Sequence, residues 1–157
     1  MPTFTKQQIK EISGQLELGF RAFYHKQTGE LLFVPNEFKY PDIDTSAWED
    51  ELDKLEEHFM DYREIEAMES RDSFQVMEDF TDQLSDTRLQ NQLYNALNKK
   101  HPFREFKFII DNSGEQRQKW FDFKDKRYYE WTEEQLKRNA AGEWWKATTT
   151  NNSLSLL

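Results

Sequence analysis

The stretch from residue 99 to residue 131 contains the side chains best suited to binding chemistry. Nine Lys or Arg residues and nine aromatic residues are interleaved over this stretch. Cations that pair with phosphates, beside rings that stack on bases, are what binding of single-stranded nucleic acid requires. The candidate binding residues are Lys99, Lys100, His101, Arg104, Lys107, Trp120, Lys124, Arg127, Tyr128 and Trp131.

The spacing of the rings favours two other interpretations over nucleic acid. Phe103, Phe106 and Ile110 recur at the interval of one helical face, which is typical of a packed core. The rings beyond Trp120 fall on more faces than one buried side of a helix can take. Since aromatic and Arg-rich surfaces are enriched at protein interfaces, a homodimer or another protein contact accounts for the surplus. We rank core packing first, a protein interface second and nucleic acid third, and expect any functional surface on the helix that begins at Glu115.

Charge is unevenly distributed along the chain. Residues 1–98 contain 9 Lys or Arg against 21 Asp or Glu, a net charge of −12, and residues 99–157 contain 12 against 9, a net charge of +3. This asymmetry indicates either an anion-binding face or two surfaces that attract each other within the fold, and we favour the second. The acidic stretch WEDELDKLEEHFMDY, at residues 48–62, is either a ligand for a basic partner or, as we prefer, a solvated helix face.

The chain has no arrangement of residues typical of catalysis or metal binding. Its three histidines, His25, His58 and His101, lie 33 and 43 residues apart, which is too far for a paired-histidine metal motif. The G-x-S-x-G elbow of serine hydrolases and the glycine-rich phosphate loops are also missing from the sequence. We therefore predict no catalytic residue, no metal site and no cofactor, and expect a non-enzymatic regulatory or protein-interaction module.

Two further kinds of chemistry stay open as alternatives. Clustered carboxylates such as Glu78 and Asp79, beside the apolar Met77 and Phe80, are the ingredients of metal-assisted hydrolysis. Most such pairs are solvated helix faces, so a hydrolase ranks third, after protein interaction and single-stranded nucleic-acid binding. His101 is most simply a helix-entry residue, and with its lysine neighbours it could also recruit an anion to the helix N-terminus.

Periodicity and turn residues predict an α+β fold, with a small antiparallel sheet packed on a mainly helical layer. A hairpin with Gly29 in its turn covers residues 20–34, and residues 62–68 are a candidate third strand. Helices are predicted over residues 5–18, from a capping box at Ser46 and Glu49 to His58, from Asp72, from Ser85, from Pro102, and from Glu115 to Asn139.

The helical spacing of apolar residues also predicts which faces are buried. The predicted core faces are Trp48, Leu52, Leu55 and Phe59, then Phe74, Met77, Phe80 and Leu84, and then Leu89, Leu93 and Leu97. The length predicts a single domain over residues 1–147 and a disordered tail over residues 148–157. Because the sequence contains neither a signal segment nor a membrane span, we expect a cytoplasmic protein that does not enter membranes.

Three segments are similar to those of a known family. They are the hairpin TGELLFV, the helix SFQVMEDF with the following LSDTRLQNQLYNAL, and HPFREFK followed by WFDFKDKRYYEW. These segments resemble the bacterial uncharacterised protein family 0158 (UPF0158). The matching positions are Tyr24, Thr28, Gly29, Phe33, Met77, Phe80, Leu97, Phe103, Phe106, Lys107, Trp120, Phe121 and Phe123.

The resemblance covers about residues 20–136, and it departs from the family pattern at residues 98–101 and 35–60. It implies no assigned activity, so it supports the predicted organisation without supplying a function.

Overall fold

A computed structural model of the chain describes residues 2–142. Within this range the α-helices are Lys6–Glu17 (α1), Glu49–Glu57 (α2), Ser70–Asp82 (α3), Thr87–Leu97 (α4), Pro102–Asp111 (α5) and Glu115–Ala141 (α6). The strands of the same range are Phe20–His25 (β1), Leu31–Pro35 (β2) and Tyr62–Ile65 (β3). Two short 3₁₀ helices, Ser46–Trp48 and Phe59–Asp61, lie before and after α2.

The contacts divide the chain into two compact units. Of the described residues, the sheet unit consists of residues 2–67 and 129–142, and the helical unit consists of Met68–Tyr128. Helix α6 therefore contributes its first half to the helical unit and its second half to the sheet unit. The single domain expected over residues 1–147 stays a prediction, and the expected tail, residues 148–157, lies outside the described residues.

The sheet unit contains a three-stranded antiparallel sheet in the order β2-β1-β3. Strands β1 and β2 form the predicted hairpin, with Tyr24 opposite Leu31. The turn between them requires Gly29, whose φ of +76° lies in the left-handed region that L-residues with a side chain disfavour. The candidate third strand is present as β3 and pairs with β1. The predicted α+β fold class is confirmed.

Helix α1 begins at Lys6, directly after its N-cap Thr5 and within one residue of the predicted range 5–18. Thr5 Oγ1 accepts a hydrogen bond from the backbone N–H of Gln8 at 3.1 Å, and Gln8 Oε1 accepts one from the N–H of Thr5 at 2.9 Å. This reciprocal capping box satisfies two N–H groups that the helix itself cannot pair. Ile12 and Leu16, one turn apart on the same face, are buried.

Helix α2 differs from its prediction at both its start and its packing. The expected capping box at Ser46 and Glu49 is absent, because Ser46 lies in a 3₁₀ helix and its backbone N–H donates to Asp44 Oδ1 at 3.0 Å. Helix α2 packs on β2, which is an edge strand of the sheet. This strand buries only part of the apolar stripe of α2. Trp48 and Leu52 are accordingly half-buried, and Phe59, predicted as core, is exposed.

The helical unit is built from α3, α4, α5 and the first half of α6. Its centre is an aromatic cluster. The centre of the Trp120 ring lies 5.2 Å from the centre of the Phe80 ring and 4.9 Å from that of Phe106, and both pairs have edge-on geometry. Such pairs add to the free energy gained from burying large rings. The buried residues of this core are Val76, Met77, Phe80, Leu89, Leu93, Leu97, Phe106, Ile110 and Trp120.

The helix starts in this unit follow local chemistry closely. Asp86, one residue later than the predicted Ser85, caps α4 by accepting a hydrogen bond from the N–H of Leu89 at 3.1 Å. Pro102 occupies the first turn of α5, where its missing N–H costs no hydrogen bond. Gly114, with a φ of +67°, separates α5 from α6.

Candidate functional site

The outer side of α5 carries an exposed set of cations and aromatic rings. Phe106 and Ile110 point into the helical core, so at about 100° per residue the side chains of Arg104, Lys107 and Phe108 face away from it. Phe108 is 69% exposed. Phe103, which the spacing assigned to the core, is 44% exposed because it lies at the flank of the buried stripe.

The turn before α5 extends this surface. Helix α4 ends at Leu97, and Lys99, Lys100 and His101 are all exposed in the turn that leads to Pro102. The side chain of His101 makes no capping hydrogen bond to α5. We call this surface the basic face, and it consists of Lys99, Lys100, His101, Phe103, Arg104, Lys107 and Phe108.

Only part of the positive charge on the basic face is neutralised locally. Glu105 lies 3.8 Å from the Lys99 ammonium and 3.6 Å from the Arg104 guanidinium. Lys100 and Lys107 form no ion pair with any of residues 2–142. With four cations and one acid between residues 99 and 108, the local net charge is +3, counting His101 as neutral.

A surface groove of about 430 Å³ adjoins the basic face. It is lined on its apolar side by Leu89, Phe108 and Ile109, and Lys99 and Asn95 supply a cation and an amide. Gln92, Asn112 and Ser113 complete the lining, so five of its eight residues are polar. A groove of this size can accept one or two apolar side chains of a partner.

The candidate residues on α6 contact other parts of the same chain. Trp120 belongs to the helical core, and Arg127 Nη1 donates to Asp79 Oδ2 at 2.7 Å. The hydroxyl of Tyr128, a buried residue, accepts a hydrogen bond from the backbone N–H of Met68 at 3.0 Å. The surplus of rings that the sequence shows on this helix is therefore partly used inside the protein.

Two further candidates on α6 follow the same pattern. The ammonium of Lys124 lies 5.1 Å from the centre of the Phe121 ring, within range of a cation–π contact. In the sheet unit, Trp131 Nε1 donates to the backbone carbonyl of Glu66 at 2.9 Å. The structure thus separates the ten candidate residues into five exposed ones near α5 and five with intramolecular contacts on α6.

The ion pair of Asp79 and Arg127 has a clear electrostatic signature. Burial of the Asp79 carboxyl opposes its ionisation, but hydrogen bonds from Arg127 and Gln75 outweigh that effect and lower its pKa. Asp79 is therefore ionised and engaged by a guanidinium, which leaves less of the carboxylate available for the metal-assisted hydrolysis considered above. Among residues 2–142, no three His, Asp or Glu side chains are grouped so that they could hold a metal ion.

Sequence reasoning missed two residues of the basic face, because it assigned Phe103 to the core and left Phe108 out of the candidate residues. The position of Phe108 outside the Phe103–Phe106–Ile110 stripe was the available signal, because an apolar residue off the buried face of a helix must be exposed or meet a second partner.

The sheet unit has exposed apolar side chains of its own, including Leu18, Phe38, Phe59 and Met60. In the described part of the chain, none of the helices has the length and apolar character needed to cross a membrane.

Fold and site together define an α+β protein in which a helical unit presents one basic and aromatic helix face. The model of the Uncharacterised protein family (UPF0158) matches residues 5–147, and the chain belongs to this family. A curated relative from Pseudomonas aeruginosa, named UPF0158 protein PA5073, is 26% identical over 132 residues, covering 83% of this chain and 81% of the relative. No solved structure matches the chain. The resemblance drawn from the sequence is confirmed, and the family is uncharacterised.

Proposed function

We propose that this protein is a non-enzymatic interaction module that binds an acidic protein segment through the basic face. The observation that carries the proposal is the exposure of four cations and two phenylalanines on α5 and the turn before it, with Lys100 and Lys107 lacking an ion-pair partner among residues 2–142. Such a surface attracts carboxylates and gains free energy when its rings are covered.

The groove beside Phe108 supports a protein partner over a polyanion. The apolar part of its lining, Leu89, Phe108 and Ile109, gains nothing from a phosphate backbone but would gain free energy by contact with a Leu or Phe side chain of a partner. Exposed aromatic anchors that fill a pocket, surrounded by charged residues, are typical of protein interfaces.

The position of the α6 rings argues in the same direction. Single-stranded nucleic acid needs several rings that are free to stack on bases. Trp120 and Tyr128 are buried, so the exposed rings near the cations are Phe103 and Phe108.

Fluorescence anisotropy with two matched peptides tests the proposal. One labelled helical peptide carries Glu on one face and Leu and Phe on the other, and its control has Lys at every Glu position. The acidic peptide should bind at low salt, and Lys107→Glu should weaken it about tenfold, or about 1.4 kcal/mol. Lys119→Glu, on an exposed lysine of α6, is the matched control and should leave binding unchanged.

A labelled single-stranded oligonucleotide distinguishes the alternative ligand. If it binds with the same sensitivity to Lys107→Glu while the acidic peptide does not bind, nucleic-acid binding replaces the proposal. If neither ligand binds at low salt, the basic face has no role in recognising anionic partners and the proposal is wrong. Lys107 is a better position for this test than Arg127, since reversal at Arg127 would also break the ion pair with Asp79.

A further inference from the structure

The sheet unit contains a surface of the opposite charge. The acidic segment, residues 49–61, comprises α2 and the 3₁₀ helix that follows it. It has seven acids and one lysine, a net charge of −6. Its lysine, Lys54, is paired with Glu30 of β2's preceding turn at 2.9 Å.

The acids of this segment are available to a partner. Asp50, Asp53 and Glu56 are exposed and form no ion pair with the residues that the structure describes. A row of like charges on one helix destabilises that helix, and a cationic surface laid against it removes the repulsion. The segment is therefore suited to a basic ligand.

Apolar side chains lie directly beside these acids. No residue of α2 is buried, and Phe59 and Met60, in the turn after it, are each 68% exposed. Adjacent exposed large apolar residues at the end of a charged helix indicate a contact surface. Aromatic and methionine side chains are also enriched at protein interfaces.

We propose that the partner of the basic face is the acidic segment of a second copy of this chain. The inference rests on the proposed function and names its ligand. The two surfaces are complementary in charge, with −6 on residues 49–61 and +3 on residues 99–108. Each also presents two exposed large apolar side chains, Phe59 and Met60 on one and Phe103 and Phe108 on the other.

Self-association follows because each copy carries both surfaces. If the acidic segment of each copy binds the basic face of the other, two copies form a closed dimer with two identical contacts. If each copy binds the basic face of a third copy instead, the copies form a chain or a ring. Light scattering after size exclusion distinguishes these arrangements from a monomer by mass. Because the contact is between opposite charges, the associated mass should fall toward the monomer mass as salt is added.

A charge-swap experiment on the full chain tests the pairing. In one variant Arg104→Glu and Lys107→Glu make the basic face acidic, and in the other Asp50→Lys, Asp53→Lys, Glu56→Lys and Glu57→Lys, all at exposed positions, give the acidic segment a net charge of +2. Each variant alone opposes like charges and should be monomeric. An equimolar mixture should associate, since every acidic segment then meets a basic face on the other variant. Wild type and Lys119→Glu should both associate.

The outcomes separate this inference from the function on which it rests. If wild type stays monomeric at low salt but binds the acidic peptide through Lys107, the proposed function stands and the second copy is not the partner. If wild type associates and the mixture of variants does not, another surface joins the copies and the inference is overturned. If wild type neither associates nor binds the peptide, both proposals are wrong. Far-ultraviolet circular dichroism of each variant establishes that it is folded.

Discussion

Arg127 Nη1 donates a hydrogen bond to Asp79 Oδ2 at 2.7 Å, which joins α6 to α3 within the helical unit. Gln75 Nε2 donates to the other carboxylate oxygen of Asp79 at 2.9 Å. A cation that lies in the most basic stretch of the sequence is thus held by an intramolecular partner. Arg127 is therefore engaged within the fold, whereas Lys100 and Lys107 of the basic face form no ion pair with any of residues 2–142.

Asp79→Asn should destabilise the protein by about 1 kcal/mol at neutral pH, because a partly exposed ion pair contributes no more than this. The folded-state pKa of Asp79 is lowered, so its contribution is present above the ordinary Asp value of about 3.9 and is lost as the pH falls through the folded-state pKa. Urea denaturation at a series of pH values should show the two proteins converging in acid. Asp125→Asn, on an exposed carboxylate of α6, is the control; an equal loss there would refute a specific role for the pair.

Trp120→Ala should cost about 3–5 kcal/mol of unfolding free energy, because it removes a ring that packs on both Phe80 and Phe106. Phe103→Ala removes a ring that is 44% exposed from the same unit and should cost much less, about 1 kcal/mol. Chemical denaturation of the two variants measures the difference. Comparable losses at the two positions would contradict the assignment of Trp120 to the core and Phe103 to the surface.

Gly29→Ala should destabilise the hairpin by about 1–2 kcal/mol, because alanine is strained at a φ of +76°. Its Cβ would also approach the Cβ of Pro2 to 3.0 Å. Gly14→Ala is the matched substitution in a helix, and there an added Cβ meets nothing within 4 Å. It should stabilise the protein by about 0.5–1 kcal/mol. The thermal denaturation midpoint, Tm, should fall for Gly29→Ala and rise for Gly14→Ala. A change of Tm in the same direction for both variants would count against the turn geometry.

Phe108→Ala should weaken binding of the acidic peptide about tenfold while leaving the unfolding free energy within about 0.5 kcal/mol of wild type. The reason is that Phe108 lines the groove beside the basic face but is largely exposed in the free protein. Phe38→Ala removes an exposed ring from the sheet unit and serves as the control. Anisotropy titrations and urea denaturation of both variants give the two quantities. Unchanged binding by the Phe108 variant would remove the groove from the recognition surface.

Local features of the fold were predictable because they depend on residues that are close in sequence. Thr5 with Gln8, Gly29 and Pro102 each specify a cap, a turn or a helix start through the chemistry of one or two side chains. The predicted start of α2 at Ser46 was wrong because of another local side chain. Asp44 competes for the backbone N–H of Ser46, and the S-x-x-E pattern alone does not reveal that competitor.

The location of the candidate site depended on contacts between distant residues. Periodicity placed Phe103 on the same buried stripe as Phe106 and Ile110. The width of a buried stripe, however, depends on how the neighbouring helices pack against it. Phe59 was likewise predicted as core from the apolar stripe of residues 48–59 and is exposed. Whether an aromatic residue near the edge of such a stripe is covered is a property of its neighbours.

The sequence by itself determined the α+β class, the hairpin, the helix order and the presence of a segment rich in cations and rings. These follow from side-chain period, turn chemistry and composition, which act over a few residues. Only the tertiary structure decided which members of that segment are exposed. Arg127 and Trp120 have partners 48 and 40 residues away in Asp79 and Phe80, whereas Lys107 and Phe108 are exposed. Burial depends on what the rest of the chain brings to each side chain, and no pattern within one helix specifies it.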